Sequence, residues 1–160
     1  MSIREAANNF RVPKHSFRES NHLELSSPEE LKLTVYDVIR SIRDPEKTFN
    51  LENLKVVYED GVEVSKGLNG DPSVYQIRIE FKPTVPHCSL VTFIGLSIRV
   101  KLTQNLPLRH KLKIRVKEGS HILAPEVNKQ INDKERVAAA MEKSLLKEFV
   151  LKCIKDNGAD

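Results

Sequence analysis

Two stretches of strict apolar–polar alternation flank a long apolar segment, and this arrangement leaves the chain few possible folds. The alternating stretches are residues 75–81 and 109–117, and a period of two is typical of strands with one face on a core. The segment between them, residues 90–106, fits both a strand and a helix pattern, but its length of seventeen residues favours a helix. A buried helix is the usual connection between parallel neighbours. The sequence therefore predicts two parallel strands joined by a helix.

A second helix and a hairpin are predicted before this unit. Ser27-Pro28-Glu29-Glu30 combines an N-cap serine, a proline in the first turn and a glutamate three residues after the cap. The helix that starts there should end near Asp44-Pro45, because the residue before a proline disfavours the helical region. Strand structure is predicted from Leu54 onward, with a hairpin turn at residues 67–72.

The remainder of the chain is predicted to be helical over residues 126–154. Gly95, inside the apolar segment, indicates close packing of that helix against the sheet. We therefore predict a compact α+β sandwich, in which a small mixed sheet packs on helices, as a single domain of residues 26–156. Residues 1–25 show no sustained periodicity and are predicted to form a flexible arm.

Cys88 is the residue with the clearest potential for chemistry. It ends the pentad Thr84-Val85-Pro86-His87-Cys88, just before the predicted buried helix. Unpaired backbone N–H groups and the helix dipole bias a thiol at a helix start toward thiolate, and His87 could assist as a donor or ligand. The alternative is a small, buried apolar cysteine. The second cysteine, Cys153, falls on the apolar face of the last helix and is predicted only to pack.

Carboxylates and histidines at the ends of other predicted elements could join this cysteine. Asp44 and Glu46 lie on an extended turn, where they could ligate a metal or accept backbone N–H groups; solvated charges after a helix are the simpler interpretation. With His87, Cys88 and His121 they would make a mixed-ligand set of the kind that zinc or iron accepts. Their spacing does not specify a metal.

The charge pattern indicates solvated surfaces. The formal net charge of +4 leaves room for an acidic partner. In residues 109–117 the basic side chains alternate with apolar ones and no aromatic residue lies between them, which favours a solvated strand face over a nucleic-acid surface. A second charged run predicts local pairing on a helical turn, with a protein-docking surface as the alternative: Asn128, Lys129, Asp133, Lys134, Glu135 and Arg136.

Signatures of several enzyme classes are missing. The sequence holds no Walker loop, G-x-G-x-x-G, C-x-x-C, H-E-x-x-H or G-x-S-x-G motif. A thiol- or metal-dependent enzyme using Cys88 and His87 with Asp44 and Glu46 is the open alternative to a non-enzyme. No apolar stretch is long enough for a membrane span and residues 1–10 lack a secretory core, so the predicted location is cytoplasmic.

Several ordered blocks resemble one family, the cytosolic iron-sulfur assembly component 2 family, which is MIP18-like. They run from about residue 33 to residue 154, and two of them resemble the A-type paralogue more than the B-type. The blocks are Ile42-Arg43-Asp44-Pro45-Glu46, residues 81–90 around Thr84-Val85-Pro86-His87-Cys88, Ile94-Gly95-Leu96, Gly119-Ser120-His121 and residues 127–140 around Asn128-Lys129-Gln130-Ile131-Asn132-Asp133-Lys134-Glu135-Arg136.

The resemblance implies a targeting subunit that joins a WD40 propeller subunit, and in some complexes a HEAT-repeat adaptor, to deliver iron-sulfur clusters to recipient proteins. A-type members are associated with the cytosolic aconitase that doubles as an iron-regulatory protein. The resemblance also implies a link to chromosome segregation, a homodimer formed by exchange of elements, and the nucleus as a possible second location.

The resemblance further implies a pocket of Asp44, Glu46, Thr84 and Cys88 with His87 beside them, in which Cys88 is the reactive thiol. No cofactor is expected to bind tightly, and a transient iron-sulfur cluster or zinc is the alternative. Iron-sulfur sites usually use four thiolates, and this chain has two cysteines. A bound cluster would therefore be shared with other chains.

Overall fold

The computed structural model describes residues 27–87 and 89–155. Within these ranges it contains five α-helices, three strands and one 3₁₀ turn, Glu59–Gly61. The elements are α1 (Pro28–Arg40), β1 (Val62–Leu68), β2 (Asp71–Phe81), α2 (Val91–Asn105), β3 (His110–Val116), α3 (Ala124–Asn132), α4 (Lys134–Glu142) and α5 (Ser144–Ile154). The arm predicted at residues 1–25 lies outside the described residues.

The three strands form one mixed sheet in the order β1-β2-β3. β1 and β2 are antiparallel and β2 and β3 are parallel, so that Ile79 lies opposite both Val62 and Ile114. The β1–β2 hairpin turns at Asn69-Gly70, where both residues have positive φ (50° and 83°), as a two-residue primed turn requires. The prediction of an α+β fold with a parallel pair joined by a helix is confirmed.

Local signals account for the start of α1. The Ser27 hydroxyl accepts the Glu30 N–H at 3.2 Å and the Glu30 carboxylate accepts the Ser27 N–H at 3.2 Å, which is the predicted capping box. The helix ends at Arg40, slightly earlier than predicted. After the helix, Arg43 forms an isolated antiparallel bridge with Asn50, so the chain is already extended before it reaches Pro45.

The strand predicted from Leu54 is wrong in its first part. Residues 54–58 form turns, and β1 begins only at Val62. Val56 and Val57 are both buried and both donate to the Leu51 carbonyl, at 2.9 and 3.3 Å. Consecutive buried residues cannot lie on one face of a strand. The apolar residues here instead fill the core from an irregular loop.

The helical structure predicted over residues 126–154 is confirmed, and it is divided into three helices. Asp133 and Lys143 adopt extended backbone angles (φ −83°, ψ 118° and φ −73°, ψ 114°) and separate them. The Asp133 carboxylate accepts the N–H groups of Glu135 at 2.9 Å and Arg136 at 3.2 Å, so it caps the start of α4. A short acidic side chain that bonds nearby backbone competes with helix continuation.

The core lies between the inner face of the sheet and the helices, with α2 at its centre. Tyr75, Ile77, Ile79 and Phe81 of β2 are buried, as are most residues of α2. Gly95 packs against α3 and not against the sheet as predicted: a Cβ there would lie 2.9 Å from Ile131 Cδ1. In the described ranges no helix is both long and apolar enough to cross a membrane.

Candidate functional site

The carboxyl ends of the two parallel strands meet at one edge of the sheet. Phe81 lies opposite Val116 in the register, and the Lys117 N–H donates to the Phe81 carbonyl at 2.8 Å. The loops that follow are joined by a bond from the Ile122 N–H to the Pro86 carbonyl, at 3.2 Å. One loop carries Thr84 and His87 and the other carries His121, so the structure brings these two sequence blocks together.

A third loop, which contains Asp44-Pro45-Glu46, is linked indirectly to the end of β2. The Lys82 N–H, just after β2, donates to the Val56 carbonyl at 2.8 Å, and the Val56 N–H donates to Leu51 at 2.9 Å. The Leu51 N–H in turn donates to the Ile42 carbonyl at 2.8 Å. This chain of backbone bonds connects the end of β2 to the segment that leads into Asp44. We call the two directly bonded loops, together with the Asp44 loop linked to them through this chain, the loop cluster.

Asp44 holds its own loop in shape. The residue is 8% exposed, and its Oδ1 accepts the N–H groups of Glu46 at 2.9 Å and Lys47 at 3.0 Å. Its own N–H donates to the Phe49 carbonyl at 3.1 Å. Of the roles predicted for this carboxylate, acceptance of backbone N–H groups is the one observed. Glu46 points from the same turn and is exposed.

Cys153 lies behind this loop and is buried, which confirms its predicted packing role. Its carbonyl accepts the Arg43 N–H at 3.0 Å, so the end of α5 is attached to the Asp44 loop. Burial raises the pKa of the Cys153 thiol, the nearby Asp44 charge raises it further, and a hydrogen bond with Ser97 acts in the opposite direction. The neutral thiol is therefore favoured, and neutral thiols are poor nucleophiles.

Cys88 itself lies outside the described residues, and its exposure stays a prediction. Its described neighbours in the loop, Thr84, His87 and Ser89, are exposed. The helix that follows begins at Val91, and its N-cap residue, Leu90, makes no side-chain capping bond. A helix start without a side-chain cap leaves N–H groups that favour negative charge nearby. Position 88 precedes the N-cap by two residues in the sequence and so does not belong to the first turn, contrary to the prediction; the thiolate form of Cys88 stays a prediction.

His121 is 8% exposed, and its ring is oriented by the backbone. Its Nδ1 accepts the Leu123 N–H at 3.0 Å, which assigns the proton of the neutral ring to Nε2. A metal binds a ring nitrogen through its lone pair, so coordination by His121 would require the ring to give up the Leu123 bond or to move its proton from Nε2 to Nδ1. Among the residues that the structure describes, no group of three or more His, Cys, Asp or Glu side chains is arranged to hold a metal. The metal set of His87, Cys88 and His121 stays a prediction, because Cys88 lies outside that search.

Three exposed apolar side chains border the two joined loops, and the sequence analysis missed them. Val85, Ile122 and Leu123 are 50%, 63% and 46% exposed. They lie in loops, where no periodicity distinguishes exposed from buried apolar residues. The only available signal was an Ile-Leu pair outside any predicted element.

The predicted partner-binding run, residues 128–136, divides into inward and outward residues. The Asn128 Oδ1 accepts the Val116 N–H at 2.7 Å, so this side chain faces the sheet. Asp133 caps α4 and pairs with Arg136 at 3.8 Å, which confirms the predicted local pairing. Lys129, Lys134 and Glu135 are exposed, and their role in docking stays a prediction.

Asn132, within this run, has a structural role and was not among the predicted partner-binding residues. Its Oδ1 accepts the Ile114 N–H at 2.9 Å and its Nδ2 donates to the Ile114 carbonyl at 2.6 Å. With Asn128 it occupies the backbone groups on the outer edge of β3, as a neighbouring strand would. Arg99 of α2 adds bonds to Asn132 at 2.9 Å and to the Leu112 carbonyl at 3.3 Å. Burial lowers the pKa of Arg99.

The fold and site together define a class: small α+β proteins with a loop cluster at the carboxyl edge of a parallel strand pair.

Comparison with known proteins identifies the family. The chain is 58% identical over 127 residues to "MIP18 family protein galla-1" of Drosophila melanogaster, a match that covers 79% of this chain and 57% of that protein. It is 47% identical over 120 residues to "Cytosolic iron-sulfur assembly component 2B" of Mus musculus, covering 75% and 70%.

A relative of the same name in Dictyostelium discoideum is 41% identical over 157 residues, covering 98% of this chain and 90% of the relative. No protein-family model matches the chain. At these identities and coverages the chain belongs to the MIP18 family, which includes cytosolic iron-sulfur assembly component 2. The resemblance seen in the sequence blocks is confirmed at the level of the family; the closer likeness to the A-type paralogue stays a prediction.

Proposed function

We propose that this protein is a non-enzymatic adaptor of cytosolic iron-sulfur protein assembly, which directs clusters to recipient apoproteins. The observation that carries the proposal is its similarity to relatives named for that assembly system, along most of the described chain. The loop cluster, which carries three of the five sequence blocks, is the proposed functional site of the adaptor. Its location in the cell would be the cytoplasm, with a nuclear pool as an extension of the same role.

Cys88 is the proposed reactive thiol of the adaptor. It follows Thr84 and His87 on an exposed loop that is bonded to the His121 loop through Pro86 and Ile122. Asp44 and Glu46 come from the neighbouring loop, where Asp44 fixes the turn. The cluster is cargo that passes this site. With two cysteines the chain cannot supply four thiolates, so Cys88 would act together with ligands from the recipient or another chain.

The proposed partners are a WD40 propeller subunit, a HEAT-repeat adaptor, and client iron-sulfur proteins such as the cytosolic aconitase that also serves as an iron-regulatory protein. The exposed Lys129, Lys134 and Glu135 are the proposed contacts with the assembly subunits. A link to chromosome segregation would follow from the clients served. A homodimer with exchanged elements is part of the proposal, and size-exclusion chromatography with light scattering measures it directly.

Affinity purification from cytosolic extract tests the adaptor role. Tagged wild-type, Cys88→Ala and Cys153→Ala proteins are compared, and the propeller subunit and iron-sulfur clients are quantified by mass spectrometry. We expect all three to recover the propeller subunit and only Cys88→Ala to lose clients. Cys153→Ala is the matched control, because it removes the other cysteine from a buried position.

Two results would overturn parts of this proposal. Failure of the wild-type protein to recover the propeller subunit would remove the adaptor role. Equal client recovery by wild-type and Cys88→Ala would remove the role of the thiol alone.

The alternative of a thiol- or metal-dependent enzyme gains less support from the geometry. Asp44, which would serve it as base or ligand, has its Oδ1 bonded to two backbone N–H groups and is buried. A base needs an acceptor oxygen aimed at the substrate. Turnover of a small molecule by the purified protein, lost in Cys88→Ala and unaffected by partner depletion, would favour the enzyme instead.

A further inference from the structure

The outer face of the sheet, opposite the core, is a charged surface formed by the strands and not by the loop cluster. Alternate residues of all three strands point to it, and most are exposed. The register places Glu63 opposite Arg78, Arg78 opposite Lys113, Gln76 opposite Lys111, and Glu80 opposite Arg115. Four cations therefore share this face with two carboxylates.

The charges on this face are not evenly compensated. Glu80 is engaged twice: its carboxylate lies 2.9 Å from Arg115 and accepts the Tyr58 hydroxyl at 2.7 Å. Arg78 lies directly across from Glu63 on β1 and from Lys113 on β3, so it has an opposite charge on one side and a like charge on the other. Like charges in that position repel. Lys111 precedes Lys113 by two residues on β3, so it lies on the same face and adds to the positive charge there.

A groove of about 320 Å³ runs across this face, beside the 3₁₀ turn. Its lining is acidic on the β1 side, from Asp60 and Glu63, and basic on the β3 side, from Lys113 and Arg115, with Arg78 and Glu80 between them. The lining is balanced in charge, and the excess of positive charge on this face comes from Lys111 beside the groove. Strand side chains stand about 7 Å apart along one face, which matches the spacing of alternate side chains in an extended peptide. An extended segment can therefore align with the row of cations along β3, which is formed by Lys111, Lys113 and Arg115.

We propose that the outer sheet face binds an extended acidic segment of a partner protein, whose carboxylates pair with Arg78, Lys111 and Lys113. Charge complementarity selects this occupant, since acidic groups relieve the repulsion between Arg78 and Lys113. Single-stranded nucleic acid is the less suitable occupant, because the strand positions of this face carry no aromatic side chain for base stacking. The inference is independent of the proposed adaptor role and of Cys88.

Fluorescence anisotropy tests the proposal with a labelled peptide of about twelve residues that alternates glutamate and serine, at about 50 mM NaCl, where charge pairing is weakly screened. We expect binding by the wild-type protein and a loss of about tenfold or more in Arg78→Glu/Lys113→Glu. Lys143→Glu/Lys152→Glu is the matched control, because it changes the net charge equally at exposed positions outside the sheet. It should lose less than about threefold.

Circular dichroism checks that the variants fold. If Arg78→Glu/Lys113→Glu does not fold, Arg78→Gln/Lys113→Gln is the milder pair that replaces it. A loss confined to the sheet-face variants supports the proposal. Equal losses in the sheet-face and control variants, or no binding by wild-type, would overturn it. Tighter binding of a single-stranded RNA than of the peptide, abolished by the same sheet-face variant, would also overturn it in favour of a nucleic-acid surface.

Discussion

Replacement of Asn132 by alanine should destabilise the fold by about 2–4 kcal/mol. The side-chain amide bonds both the N–H and the carbonyl of Ile114, at 2.9 and 2.6 Å. Ile114 is 0% exposed, so water cannot readily replace the amide. In a parallel strand, every second residue directs both backbone groups away from its neighbour, and Ile114 is such a residue on the outer edge of β3.

The magnitude follows from those two backbone groups. Each buried group left without a partner costs about 1–3 kcal/mol, and the better helix propensity of alanine returns about 0.5 kcal/mol at the end of α3. The two groups together therefore give about 1.5–5.5 kcal/mol, and the expected value of about 2–4 kcal/mol is the middle of that range. Arg99 also loses its bond to Asn132 but keeps those to the carbonyls of Ile131 and Leu112. The edge of β3 should therefore loosen without collapse of the domain.

Urea unfolding followed by far-ultraviolet circular dichroism measures this effect, since the chain has no tryptophan. At a slope of about 2 kcal/mol per molar, the midpoint should fall by about 1–2 M. Asn128→Ala, which removes one bond to Val116, should cost about half as much, and Asn132→Asp, which keeps the acceptor oxygen, should be intermediate. Exposed Lys129→Ala is the control. An Asn132→Ala midpoint equal to that of Lys129→Ala would refute the role assigned to the amide.

Four further outcomes are expected. Gly95→Ala should destabilise the fold by about 1–3 kcal/mol, because the new Cβ would lie 2.9 Å from Ile131 Cδ1. Adding Ile131→Val, which removes that methyl group, should restore part of the lost stability in urea unfolding; losses that simply add would contradict the contact. Asp133→Ala should cost about 1 kcal/mol in thermal unfolding while Asp133→Asn keeps most of the cap, and equal losses would argue against capping. Burial and the hydrogen bond to Glu80 raise the pKa of Tyr58, so the contribution of this hydroxyl to stability is present below about pH 10 and is lost above it, because the unfolded chain ionises first. In urea titrations at increasing pH, Tyr58→Phe should therefore lose less stability than wild-type above about pH 10, and an equal loss in the two proteins would contradict this role. Iodoacetamide near neutral pH should modify Cys153 only after unfolding, as read by mass spectrometry, and rapid native labelling would show that α5 opens.

The candidate site was predictable in its residue types but only partly in its arrangement. Asp44, Thr84, His87 and His121 each follow a recognisable element end, and such loops commonly carry function. Backbone hydrogen bonds between residues distant in sequence, such as Ile122 to Pro86 and Lys82 to Val56, bring the three loops together. No local pattern encodes those pairings. The exposed Ile122 was missed for the same reason.

Sequence by itself determined the elements whose signals are local. Periods of two defined β2 and β3, the long apolar segment defined α2, and Ser27 with Glu30 defined the start of α1, because side-chain direction and capping depend on near neighbours. Tertiary structure decided that Gly95 meets Ile131, because two helices must approach before a missing Cβ has a consequence. It also decided that Asn132 closes the edge of β3, because an amide bonds whichever backbone groups the fold brings within reach.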